Sequence, residues 1–225
     1  AGSDIADIGI HSEMFCEAFI DMVEAGRVTG NFKTFDRNKI TCTFGLGSKR
    51  LYDFMDNNPM ISSHPACVVN DPKIIASNDN MVSINNILEV DLFSQVCSES
   101  SGVRQISGTG GQLDFVQGAF ASRGGKSFLA FSSSYVDKDG VRRSRIRPTL
   151  SPGAIVTVPR TLVHYLVTEY GKANLKARSV WERAEMLINI AHPDFREELI
   201  RDAEQMKIWK KSNRVAPSTR NPSPI

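Results

Sequence analysis

A chain of 225 residues with 41% hydrophobic and 23% charged residues has the composition of an ordinary globular protein and enough length to bury its own core, so one main domain is expected. The formal net charge of +2 supplies no large single-sign field; this argues against nucleic acid or a membrane surface as the principal partner and leaves small acidic ligands open. The cysteines, at 16, 42, 67 and 97, form no C-x-x-C pair and stand at no zinc-like spacing to His11, His64, His164 or His192, so reduced, mostly buried thiols and no metal site are expected. No signal peptide and no run of about 18 apolar residues is visible, which fits a reducing compartment, the cytoplasm or a mitochondrial matrix.

In chain order, the first element follows Gly9-Ile10-His11-Ser12-Glu13-Met14. Apolar residues at Met14, Phe15, Ala18, Phe19, Met22 and Val23 fall at helical spacing, and Gly26 offers a stop. The spacing places Glu13 in the first turn, where unpaired N–H groups and the helix dipole hold an ionised carboxylate. On spacing alone Ser12 is the cap and Glu13 merely complements the dipole; no capping box competes, because Phe15 stands third after Ser12.

Residues 39 to 44 alternate as a strand, and Gly45-Leu46-Gly47 leads into a helix from about Ser48 to Asn57, ended by Asn58-Pro59. Short strands are expected around Ala66 to Asn70 and Lys73 to Ala76, split by Asp71-Pro72. Met81 to Val96 reads mostly as strand with a turn near Asn85-Asn86, and Val103 to Ile106 as a brief strand. The glycine loop Ser107 to Gly111 opens a helix over Leu113 to Ala121, and Gly124-Gly125 turns the chain into a strand over Lys126 to Phe131. Asp137 to Gly140 is a hairpin-type turn. Ala154 to Val158 and Tyr165 to Thr168 are expected strands, and Val180 to Ala191 and Phe195 to Met206 helices, with Asp194 an N-cap or early-turn acid. From Lys210 the chain has too little apolar content to pack, so a domain over 1–209 and a disordered tail over 210–225 are expected. Strands and helices mixed in this way predict an α/β fold, an open mixed sheet flanked by helices.

A second constellation is Gly108-Thr109-Gly110-Gly111-Gln112-Leu113-Asp114-Phe115, a glycine turn that follows a strand and opens a helix, the setting in which backbone N–H groups cradle an anion or oxyanion. A dinucleotide fingerprint would need glycine at 113, where leucine stands, and a P-loop ending at Lys126-Ser127 would need glycine at 120, where phenylalanine stands. A plain tight turn remains the commoner explanation of such a loop.

Gly9 to Met14 resembles the catalytic segment of the acetyl-CoA hydrolase/transferase family, in the branch of the 4-hydroxybutyrate and butyryl-CoA:acetate CoA-transferases. Gly108 to Phe115 resembles that family's Gly-x-Gly-Gly-Gln-x-Asp-Phe segment. Ser83-Ile84-Asn85, Glu89 to Leu92, Gln95 to Ser100, Gly124 to Ser127, Val167 to Gly171 and His192 to Arg196 extend the likeness over roughly residues 7 to 209. Lys172 to Leu175 departs from it, being less apolar than expected.

The resemblance implies a CoA-transferase-like domain of the NagB/RpiA/CoA-transferase type, the C-terminal half of a two-domain chain. An N-terminal half carrying a second coenzyme A loop would be missing, and homodimers are common in the family. It implies Glu13 as nucleophile, with coenzyme A or an acyl-CoA as substrate, no permanently bound cofactor, and a small carboxylic acid such as acetate as the other partner. Gly108, Gly110, Gly111 and Gln112 match the coenzyme A segment. Lys126 is a candidate for a coenzyme A phosphate or the pantetheine arm, and by composition equally a solvated lysine.

Under this reading Glu13 attacks the thioester, CoA thiolate returns to the resulting anhydride, and a glutamyl-CoA thioester forms. Hydrolysis of acyl-CoA on the same scaffold, or a non-catalytic CoA-binding role for the isolated half, are the alternatives. Glu169 reads better as a structural carboxylate, Arg142, Arg143, Arg145 and Arg147 better as a charged edge strand than as phosphate ligands. His11 either orients Glu13 or makes a local packing or backbone contact.

Overall fold

The computed structural model describes residues 5–209. Its first strand, β1, covers His11–Phe15 and pairs in parallel with β2, Ile40–Gly45, through His11 opposite Thr41 and Phe15 opposite Gly45. Glu13 therefore sits on a strand, which corrects the helical first turn expected from spacing. The helix α1 is only Glu17–Glu24, entered through Cys16 in extended conformation, and the Ser12 hydroxyl donates to the Met14 carbonyl at 2.9 Å instead of capping. Phe15 and Ile20 are both fully buried, one by strand alternation and one by helix phase, so a single helical period drawn through both sides of Cys16 misplaces the boundary.

The helix α2, Lys49–Met55, begins at Ser48, whose side chain accepts from the Arg50 amide, and β3, Ile61–Ser63, adds to β2 in parallel. The two short strands expected next are helices: α3 is Ala66–Val69 and α4 is Pro72–Ser77. Asp71 accepts from the Lys73 amide and Pro72 occupies the first helical position, so the same Asp-Pro pair that reads as a break starts α4. Val68-Val69 and Ile74-Ile75 are β-branched, but burial of Val69 and Ile75 against Phe115 overrides that preference.

The long apolar run divides into β4, Val82–Asn86, and β5, Glu89–Asp91, with the turn at Ile87-Leu88, one step later than expected; β6, Val96–Cys97, returns antiparallel to β5. A small hairpin, β7 Ser100–Ser101 and β8 Arg104–Gln105, precedes the helix α5, Gln112–Ala121. Strand β9, Lys126–Ala130, lies parallel to β4, so α5 is the crossover of a β-α-β unit and its amino terminus lies at the carboxyl ends of these strands.

Strands β10, Ser134–Val136, and β11, Arg142–Ser144, form the expected hairpin, and β12, Ile146–Arg147, joins β5. The strand expected over residues 154–158 is absent; that segment makes a single bridge, Val96 to Val158. Strand β13, Tyr165–Thr168, lies parallel to β9, and β14, Gly171–Asn174, turns back on it antiparallel. The chain closes with α6, Val180–Asn189, and α7, Pro193–Gln205, where the His192 ring accepts from the Asp194 amide. The expected tail over 210–225 lies outside the described residues.

The result is a mixed α/β fold of several open sheets flanked by helices, as expected. One sheet runs β1-β2-β3 and another β14-β13-β9-β4, so β1 and β4 are both edge strands. The larger core joins Leu129 of β9, Leu166 of β13 and Val116 of α5 to Leu187 of α6 and Leu199 of α7; a second joins Phe15, Ile20 and Leu51. The start of α6 carries a full capping box between Ser179 and Glu182. Ser179→Ala is expected to cost about 1 kcal/mol in chemical denaturation, the usual price of losing such a cap.

Candidate active site

Glu13 is half-buried on β1, on the same side of the strand as His11 and Phe15. Its Oε2 and the amide Nδ2 of Asn70, at the end of α3, converge on the place a side chain at residue 111 would fill: a Cβ added to Gly111 would collide with both. Gly111 is the N-cap of α5, with an ordinary φ of −89°, so what the glycine provides here is space and not an unusual backbone. The carboxylate thus lies against the open end of a ten-residue helix, where N–H groups lack intrahelical partners.

Two further acids mark the place. Burial first, then the negative charges of Glu13 and Asp71, push the Asp114 carboxyl up. Asn70 keeps its Oδ1 buried without a hydrogen-bond partner, and Gln112, first residue of α5, does the same with its Nε2. Asn70 and Asp114 were not singled out from the sequence. Asn70 lies in a segment read as strand, and only the fold brings it to Glu13; Asp114 was visible as the acid of the Gly-Gly-Gln-x-Asp-Phe segment.

Of the other residues singled out, Gly108 and Gly110 stand in an exposed loop where an added Cβ would meet nothing within 4 Å, and Gly110 takes a φ of +56°. Lys126 is the first residue of β9 and so lies at the amino end of the strand, away from the end that carries Gly111. His11 donates from Nε2 to the Val69 carbonyl at 2.7 Å, since a carbonyl can only accept; this is the backbone contact foreseen as one of its two readings. Burial holds the ring below the usual histidine range, against the pull of that hydrogen bond, so His11 is neutral at pH 7. Glu169 spends both oxygens on Ser133, at 2.8 Å to its amide and through the hydroxyl at 2.5 Å. The cysteines are all free, with Cys42 and Cys97 buried, Cys16 half-buried and Cys67 exposed.

Beneath β1 lies a buried cation that the sequence did not single out. Lys33 is only 7% exposed and its ammonium donates to the carbonyls of Ile10 and Lys39 at 2.9 and 2.7 Å and to the Thr41 hydroxyl at 2.6 Å. Its stem fills the space over Gly9, where a Cβ would meet the lysine Cγ at 2.5 Å, which gives the first glycine of the Gly9 to Met14 motif a reason. Thr41 passes a hydrogen bond on to Asp36, and Asp36 accepts from His64 at 2.7 Å. The pair of edge strands is thus tied at the point where β1 starts.

Burial lowers the Lys33 ammonium from 10.5 to about 8, opposed by Asp36 and Cys42. The unfolded chain keeps that proton to 10.5, so the cost of burying the charge is fully present below about 8 and gone above 10.5. Stability from this group therefore rises with pH across the interval. The unfolding midpoint of Lys33→Met is expected to lack that rise when both proteins are titrated with urea between these two pH values.

A carboxylate set at the carboxyl ends of parallel strands, against the amino terminus of a crossover helix, defines an α/β ligand-handling protein of the kind whose sites lie just beyond the strand ends. Among the described residues no cluster of His, Cys, Asp and Glu is arranged to hold a metal, and no helix is long and apolar enough to cross a membrane. Residues 47–203 match the family described as acetyl-CoA hydrolase/transferase C-terminal domain, and the chain belongs to that family.

It is 54% identical over 214 residues to the butyryl-CoA:acetate CoA-transferase of Anaerostipes caccae, covering 95% of this chain and 48% of that protein. It is 50% identical over 196 residues to the 4-hydroxybutyrate coenzyme A transferase of Clostridium kluyveri, covering 87% and 45%. The crystal structure of RipA from Yersinia pestis superposes with a TM-score of 0.84 at 45% identity, over 92% of this chain and 46% of that one. The chain spans about half the length of the relatives it matches.

Proposed function

We propose that this chain carries the nucleophile of a CoA-transferase that moves coenzyme A between a short-chain acyl-CoA and a small carboxylic acid such as acetate. The observation that carries the reading is the Glu13 carboxylate lodged at Gly111, at the open end of α5 and beside the Asn70 amide. The similarity to CoA-transferases at 50% and 54% identity supports it.

A carboxylate in water is a poor nucleophile, and fixed geometry together with exclusion of water is what makes it a usable one. Glu13 attacks the thioester carbonyl; the carbon–sulfur bond breaks and the electron pair leaves on the CoA thiolate, giving an acyl-glutamyl anhydride. The thiolate adds to the glutamyl carbonyl and expels the acyl group as a carboxylate, leaving a glutamyl-CoA thioester. The incoming acid reverses both steps. Each addition places a negative charge on a former carbonyl oxygen. N–H groups at the start of α5 and the Asn70 amide are the donors placed to receive it, each worth about 3 kcal/mol when lost.

Coenzyme A is a substrate in this reading, contacted by the loop over Gly108, Gly110, Gly111 and Gln112. Lys126, at the other end of its strand, is left out of it. The second half of a longer polypeptide and a homodimeric, cytoplasmic enzyme complete the proposal. The test is the intact mass of the protein after incubation with butyryl-CoA: an increment of one coenzyme A that borohydride reduction removes supports the reading, and no increment refutes it. Acetate-dependent loss of acyl-CoA identifies transfer; loss at the same rate without acetate identifies the hydrolase named in the family's description.

A further inference from the structure

A cavity of about 490 Å³ that the reading above does not use opens at the carboxyl ends of β4 and β9, lined by Asn86, Ile87, Ser98, Phe131, Ser132 and Arg145 among others. No acidic side chain lines it. Arg145 is held in place: its Nη1 donates to the Leu88 carbonyl at 2.9 Å and its guanidinium lies 4.8 Å from the centre of the Tyr135 ring. Among the described residues it pairs with no carboxylate, whereas Arg143 is spent on Asp137 at 2.9 Å and Arg147 lies 3.6 Å from Glu89. The arginines crowded in the sequence therefore part company in space, and only Arg145 faces the cavity.

The other polar groups are donors as well. Asn86 uses its Oδ1 to accept from the Ile87 amide at 3.0 Å, which leaves its NH2 to donate. The Ser98 hydroxyl is buried without a hydrogen-bond partner, and Ser132 is exposed at the mouth. A lone guanidinium, an amide NH2 and two hydroxyls around a space of this size lack an acceptor. A buried hydroxyl left unpaired costs free energy that a bound acceptor would recover. We propose that this cavity binds an oxyanion, a carboxylate or phosphate carried on a larger ligand, with Arg145 as counter-charge, Asn86, Ser98 and Ser132 as donors, and Ile87 and Phe131 against the ligand's body.

The volume exceeds what an isolated anion needs and falls in the range of small-molecule sites. Because α5 crosses back between β4 and β9, the cavity lies on the same end of the sheet as Gly111. A ligand that reaches Glu13 can thus place a distant anionic group here. The anion site itself does not depend on Glu13 acting as a nucleophile. If the proposed function holds, the anion is either a phosphate of coenzyme A or the far carboxylate of a dicarboxylic acid.

Isothermal titration of the protein with coenzyme A, 3′-dephospho-CoA, succinate, butyrate and inorganic phosphate, with no turnover required, tests this directly. At least one of these anions is expected to lose about tenfold or more in affinity in Arg145→Gln, the scale of a charge-assisted hydrogen bond. If coenzyme A alone is affected and 3′-dephospho-CoA is not, the ligand group is the phosphate. If succinate is affected and butyrate is not, it is a carboxylate. Since Arg145 also ties Leu88, Ser98→Asp is the second variant: it sets a negative charge in the cavity without touching that bond and should abolish the same binding. Affinities for all five ligands unchanged in folded Ser98→Asp overturn the proposal, and the mass increment at Glu13 is read separately.

Discussion

Glu13→Gln is expected to lower acyl transfer by about 10,000-fold or more, the scale on which loss of an enzyme's nucleophile falls, and to remove the coenzyme A mass increment with it. The replacement is isosteric, so the amide fits the same space beside Gly111 and Asn70, and the unfolding midpoint should stay where it is. The amide cannot form the anhydride, because its nitrogen is no nucleophile and its oxygen carries no charge. Glu13→Asp keeps the chemistry but withdraws the carboxylate by one methylene from the end of α5. A displacement on the order of 1 Å costs roughly 100-fold in a positioned reaction, so this variant should fall between the two. Kinetics that treat Gln, Asp and Glu alike at residue 13 would remove the nucleophile from the proposal.

Gly111→Ala should cost roughly 100-fold in turnover while leaving stability within about 1 kcal/mol. The backbone at 111, φ −89° and ψ 7°, is open to any residue, so alanine brings no strain of its own and even removes some freedom from the unfolded chain. Its methyl group takes the space now held by Glu13 Oε2 and Asn70 Nδ2, and those two side chains, being the movable parties, must leave. Gly110→Ala makes the contrast: there φ is +56° and nothing stands within 4 Å, so the cost is backbone strain of about 1 to 2 kcal/mol with little direct displacement of Glu13. Steady-state kinetics and urea denaturation on the two variants separate space from strain. Equal loss of activity in both would mean that the Gly111 gap is not what seats the carboxylate.

Local signals of turn chemistry and alternation were legible in the chain. The β2 strand with its Ser48-capped helix, the glycine turn into α5, the hairpin around Asp137 to Gly140 and the two closing helices all follow from patterns that act over a few residues. The segments that went wrong are those where burial decided against propensity. Val68-Val69 and Ile74-Ile75 look like strands and are helices because Val69 and Ile75 pack on Phe115. Residues 154–158 look like a strand and make one bridge, to Val96. The site was legible only in part, because motif likeness supplied Glu13 and the glycines, but Asn70, Lys33 and Arg145 carry no signature of their own.

By itself the sequence determined which groups are available: a carboxylate in a Gly-Ile-His-Ser-Glu frame, a glycine-opened helix, a near-neutral surface and a core long enough to hold them. The tertiary structure decided which of them meet. Residues 13, 70 and 111 are far apart in the chain, and their contact exists because β1 and β4 are edge strands of two sheets with α3 and α5 reaching toward the same end. The same holds for Lys33 under β1 and for the arginines, four neighbours in sequence that strand pairing sends to different partners. Side-chain identity is fixed residue by residue, whereas proximity across such separations is set by which apolar faces must be buried together, a property of the whole chain.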